Sequence, residues 1–142
     1  MDIEKQLNIT LDKDFNGYEQ QEPGSAYGVI KINDFYENFY MSPEVWSIDD
    51  YQRQWQIAFD RLNSGASTCF VVNFQPSTPL IAMWTVYHCG NKLYIQNQYY
   101  FGDYYHEVVT DKSFTPENSF DFIRPRQTAT DEGDSISEWV IE

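Results

Sequence analysis

Positive charge is what this chain has least of: its 142 residues carry 9 Lys and Arg against 22 Asp and Glu, a formal net charge of −13. That balance excludes nucleic acid as an expected partner, because affinity for it comes largely from neutralising phosphates with Lys and Arg. No apolar run approaches the roughly 20 residues of a membrane-spanning helix. The polar start, MDIEKQLN, does not read as a signal peptide. The sequence therefore predicts a cytoplasmic protein with no membrane partner. Cysteine is scarce, and in that compartment Cys69 and Cys89 are expected as reduced, small apolar residues.

Catalytic motifs are missing as well. There is no glycine-rich phosphate loop, no nucleophile elbow and no His-x-x-x-His helix. The soft metal ligands are His88, His106, Cys69 and Cys89, and neighbours such as His88 and Cys89 point to opposite faces of a strand. The acidic run DEGD (131–134) lacks the alternating ligands and bidentate Glu of a calcium loop. No metal, no cofactor and no catalytic residue is predicted. A small enzyme built on His106 with Glu107 or Asp111 is a third-rank reading without a motif behind it.

What is abundant is aromatic surface, 18% of the chain, enough for one proper core. Charge is unevenly spread: residues 1–50 sum to −8, residues 51–102 to +2 and residues 103–142 to −7. The stretch LYIQNQYYFGDYYHE (93–107) places five tyrosines and a phenylalanine beside Asp103, Glu107 and Asp111, with no positive charge until Lys112. Stacking platforms for nucleic acid would need cations nearby. Tyrosines among carboxylates instead suit a basic protein: rigid contact area from the rings, steering and complementarity from the acids. The candidate contact residues are Asp103, Tyr104, Tyr105, Glu107 and Asp111, with the acidic turn Asp131, Glu132 and Asp134 as a second patch. Exposed tyrosines would also suit a homodimer.

The patterning predicts an α+β domain: strand, strand, helix, three strands, helix, strand, in one twisted, mostly antiparallel sheet carrying one long and one short helix. Residues 1–24 read as a loosely held N-terminal segment with a short strand at 7–11, and residues 25–142 as a single domain. YGVIKI and DFYENFYM are the first two strands of that domain. Ser47 caps the long helix, Asp50 sits three positions on, and Ile48, Tyr51, Trp55, Ala58, Phe59 and Leu62 form its apolar stripe. Gly65 stops it. TCFVVNF, LIAMWTVYHC and LYIQNQYYF make a meander, with one face of the last strand expected in the core. Thr115 and Pro116 open a short helix that ends at Pro125, and ISEWVIE closes the chain as a strand.

Five blocks in order, WSIDDYQRQW (46–55), MWTVY (83–87), KLYIQNQYYF (92–101), FTPENSFDFI (114–123) and DEGDSISEW (131–139), resemble the CdiI immunity proteins of bacterial contact-dependent growth inhibition systems. The resemblance spans roughly residues 30–139. It implies a cytosolic inhibitor that binds the C-terminal toxin domain of a large secreted CdiA effector. The toxin would be a basic nuclease, commonly an RNase, with its active site blocked. It also implies a Whirly-like fold, from which the runner-up function follows, a single-stranded nucleic-acid-binding protein.

Overall fold

The computed structural model describes residues 2–15, 17, 22–109 and 113–142. A single helical turn, α1 (Ile3–Gln6), leads into β1 (Leu7–Leu11), which pairs with β2 (Ala26–Ile32), and β2 with β3 (Phe35–Met41), all antiparallel. A two-residue turn joins β2 and β3, with Asn33 at φ 52°, a conformation asparagine tolerates better than most residues. Gly28 in β2 leaves room for the Phe39 ring: a Cβ there would sit 2.4 Å from it. That ring packs edge-on against Trp55 at 5.9 Å.

The long helix α2 (Ile48–Asn63) begins as its sequence dictates, with a complete capping box between Ser47 and Asp50. A second antiparallel sheet follows in the order β4 (Thr68–Gln75), β5 (Leu80–Cys89), β6 (Lys92–Phe101), β7 (Trp139–Ile141). The class is α+β, but the strands divide into a three-stranded and a four-stranded sheet rather than forming one.

β4 is a margin of the second sheet and would expose unpaired backbone groups. The buried face of α2 closes that margin. Gln54 Nε2 donates to Cys69 O (2.8 Å), and its Oε1 accepts from Val71 N–H (3.0 Å). Trp55 Nε1 donates to Val71 O (2.8 Å), and Tyr51 Oη accepts from Phe74 N–H (3.0 Å). A bulge between Val71 and Asn73 shifts the register. It frees Asn73 Oδ1 to accept from Ser42 N–H (2.9 Å), while Tyr51 Oη donates to Ser42 O (2.8 Å). These bonds join the end of β3 to the second sheet.

Both faces of that sheet are covered, which is why the apolar alternation of β4 and β5 is nearly continuous burial. On one face Trp84 of β5 and Trp139 of β7 pack with Phe35 of β3, the rings at 4.6–6.2 Å. The other meets α3 (Gly102–Val109) and the segment 113–127. That segment departs from the expected helix: only a 3₁₀ turn forms, Ser119–Phe122. Its cap does form, as Thr115 and Asn118 exchange side-chain bonds. The carbonyls then go elsewhere. Phe114 O accepts from Trp46 Nε1, Phe122 O from Tyr100 Oη, Arg124 O from Tyr87 Oη and Gln127 O from Gln96 Nε2. These carbonyls lie before the cap, in the last turn or beyond Pro125, where no helical donor would reach them, and they bond side chains of the sheet and of the loop before α2 instead. Pro125 has no N–H to offer Asp121 and disfavours helical backbone at Arg124, so the turn is not extended.

The last excursion, 126–138, is tied at its base. Arg126 grips Glu138 with two bonds of 2.8 and 2.6 Å and lies 3.9 Å over the Tyr94 ring. Gln96 Nε2 adds a third donor to Glu138 at 2.8 Å. The Arg126 donors, with Gln96, hold the Glu138 carboxyl below the ordinary glutamate range.

Two outcomes are expected. Gln54→Leu leaves Val71 N–H and Cys69 C=O buried without partners, and urea denaturation should show a loss of roughly 2–4 kcal/mol. Glu138 has a lower pKa folded than unfolded, so its stabilisation is present above the unfolded value and lost as pH falls through the folded one. Glu138→Gln should therefore be less stable than the parent at pH 7, and the gap should close below about pH 4.5.

Candidate functional site

β6 is the strand on which the candidate site is built. Its ten residues all pair with β5, but only Leu93, Tyr94 and Ile95 pair with β7 on the other side. Leu93 and Ile95 lie in the core, covered by β7 and the Phe35–Trp84–Trp139 cluster. Beyond that cover the same face changes character. Tyr99 is 49% exposed and Phe101 65%. One face of this strand is expected in the core; the face of Leu93, Ile95, Asn97, Tyr99 and Phe101 is core in its first half and open in its second.

Asn97 Nδ2 donates to Tyr99 Oη at 3.1 Å and lies 3.5 Å from Glu37 Oε2 on β3. Burial raises the Glu37 carboxyl above its ordinary value. A groove of about 280 Å³ runs between these residues and Trp84. On the other side of β6 lies a larger groove, about 550 Å³, lined by Gln98, Tyr99, Phe101, Tyr104, Arg124 and Ile136 among others.

At Gly102 the chain turns with φ +61°, and α3 begins where the sequence suggested a loop. Tyr105 and Val108, three apart, face the core and make the helix amphipathic. Asp103 and Glu107 are exposed on its outer side. Tyr105 is only 5% exposed and lies 6.4 Å from Phe74, so it supports the helix from beneath and presents no open ring. Tyr104 is half-buried, edge-on to Tyr100 at 4.9 Å. Arg124 lays its guanidinium over both rings, at 4.3 Å from the centre of Tyr100 and 4.8 Å from Tyr104. Desolvation raises both phenols, so they remain neutral donors at physiological pH. Asp111 lies outside the described residues.

Asp131, Glu132 and Asp134 are all exposed, on a tight turn closed by Gly133 N–H to Thr130 O at 2.9 Å. The structure brings the base of this excursion, Gln127 and Ile136, into the same groove as Tyr104. Tyr99, Phe101, Glu37 and Arg124 were not among the predicted contact residues. The available signal was length: a ten-residue strand beside a final strand too short to cover it.

The reactive groups are dispersed. Burial pushes the Cys69 thiol up to about 12, where it bonds Gln54 and Ser119 as a weak polar group. Cys89 is exposed at the end of β5 and His106 exposed on α3. Among the described residues no three His, Cys, Asp or Glu side chains gather as a metal site. None of the helices among them is long and apolar enough to cross a membrane.

Three comparisons give this surface a context. The family model described as the CdiI N-terminal domain matches residues 41–142. The chain is 31% identical over 134 residues to the immunity protein CdiI of Enterobacter cloacae subsp. cloacae, with 88% of each chain covered. Its fold is similar to a chain of the CdiA-CT/CdiI toxin and immunity complex from Enterobacter cloacae. The TM-score is 0.74 at 26% identity, over 95% of this chain and 89% of that one. By the family model and by the 31% identity, the chain belongs to the CdiI family of immunity proteins.

Proposed function

We propose that this protein is the cytoplasmic immunity partner of a CdiA effector, binding the effector's C-terminal toxin domain and occluding its active cleft. The observation that carries the reading is the exposed Tyr99–Phe101 ridge running into α3, where Asp103 and Glu107 stand free. The similar Enterobacter cloacae chain is itself described in a toxin and immunity complex, which supports the same partner class here. The toxin is a basic nuclease, an RNase in the reading that fits best. A cleft that holds phosphates must be cationic, and a chain of net charge −13 is attracted to it. Long-range attraction accelerates encounter, and desolvated rings then slow release. Asp103, Glu107 and the turn Asp131, Glu132 and Asp134 supply the field; Tyr99, Phe101 and Tyr104 supply the anchors.

A single-stranded nucleic acid would seek the same rings but would meet Glu37, Asp103 and Glu107 around them. Gel-shift titration with single-stranded oligonucleotides should accordingly show no retardation. Stopped-flow association with the cognate CdiA toxin domain is the direct test. The double change Asp103→Asn, Glu107→Gln should slow association by about three- to tenfold at low salt, and the difference should shrink as salt rises. Association indifferent to both the double change and salt would remove the steering role of α3.

A further inference from the structure

The two margins of the four-stranded sheet are treated differently. At β4 the outward backbone groups are bonded by Gln54, Trp55 and Tyr51. At β6 the pairing with β7 stops at Ile95, and residues 96–101 continue with no strand alongside among the described residues. Along an antiparallel strand, successive residues turn their N–H and C=O groups to alternate sides, so every second residue of 96–101 faces away from β5. Among the described residues no backbone hydrogen bond from elsewhere reaches this stretch. Natural sheets usually blunt such a margin with Lys, Pro or a bulge. QNQYYF has none of these.

The groove beside this margin has sides of unlike chemistry. On one face of the sheet stand the exposed rings of Tyr99 and Phe101. Toward the other face, Arg124 is stacked on Tyr100 and Tyr104 with its Nε buried and unpartnered. Arg124, like Arg61, joins none of the ion pairs among the described residues, whereas Arg53 and Arg126 both do. Unlike Arg61, it lines the groove beside β6, where an incoming carboxylate could meet it.

We propose that the free margin of β6, Gln96 to Phe101, receives an extended strand of the toxin domain. That strand extends the sheet, sets apolar side chains against Tyr99 and Phe101, and brings a carboxylate to Arg124. The inference rests on the immunity reading above and adds a second kind of contact to it. A strand laid beside β6 projects its side chains alternately to the two faces, so the segment that fits alternates apolar with polar and carries an acid on the polar side. Cross-strand pairing with aromatic residues rewards the apolar positions. A second copy of this chain is disfavoured as the occupant, because it would bring two molecules of net charge −13 together beside Asp103.

Residue-resolved amide exchange of the isotope-labelled chain tests this, with a catalytically inactivated cognate CdiA toxin domain as the probe. Alternate amides between Asn97 and Phe101 should exchange about 100-fold more slowly at free toxin about 100 times Kd. The amides between them, already bonded to β5, should change far less. Arg124→Gln should speed dissociation about tenfold while association at low salt stays near the parent value. A complex that forms with the margin still exchanging freely overturns this inference and leaves the immunity reading standing. Absence of any complex removes both. Protection that grows with the concentration of the chain alone, without toxin, assigns the margin to self-association and overturns the proposal.

Discussion

A strand at the margin of a sheet carries donors and acceptors that cannot be left buried and bare, and the solution found at β4 organises much of this molecule. Gln54, Trp55 and Tyr51 are successive inward positions of α2, and their polar atoms reach Cys69, Val71 and Phe74 in turn. The helix therefore acts as a side-chain replacement for a missing strand, in addition to supplying apolar cover. Tyr51 extends the arrangement to Ser42, and the bulge at Val71–Asn73 lets Asn73 do the same. One set of bonds thus fixes the helix on the second sheet and anchors the first sheet to both.

Covering both faces of the four-stranded sheet has consequences for the loops. Tyr87, Gln96 and Tyr100 turn polar atoms toward the segment 113–127. That segment gives them the carbonyls of Phe122, Arg124 and Gln127, which no helical donor would reach. A polar sheet face is thereby satisfied, and Phe114 and Phe120 still reach the core.

The candidate surface arises where this cover ends. β7 spans three residues and β6 ten, so the outer part of β6 retains a core-like sequence without a core around it. Phe101 leads at once into α3, whose inner side is packed and whose outer side carries free carboxylates. Rings, acids and an arginine outside the ion pairs of the described residues thereby fall within one stretch of surface. Affinity from aromatic burial and speed from long-range charge reside in neighbouring but separable groups.

By itself the sequence determined the α+β class, the limits and capping of α2, the meander of β4 to β6, the strand at Leu7–Leu11 and the acidic, aromatic character of residues 93–107. Each of these follows from local periodicity, capping chemistry or composition, which neighbouring residues settle among themselves. The tertiary structure alone decided that there are two sheets, that residues 102–109 are helix and that 114–125 is not. It also decided that Tyr105 lies inside while Tyr99 and Phe101 lie outside. Those outcomes depend on which distant group covers a strand or meets a carbonyl: Trp139 pairs with Ile95 but stops short of Tyr99, and the end of the 114–125 segment is fixed on the sheet by Tyr100, which donates to the Phe122 carbonyl. Periodicity records which side chains share a face, whereas burial of that face is settled by partners far away in the chain.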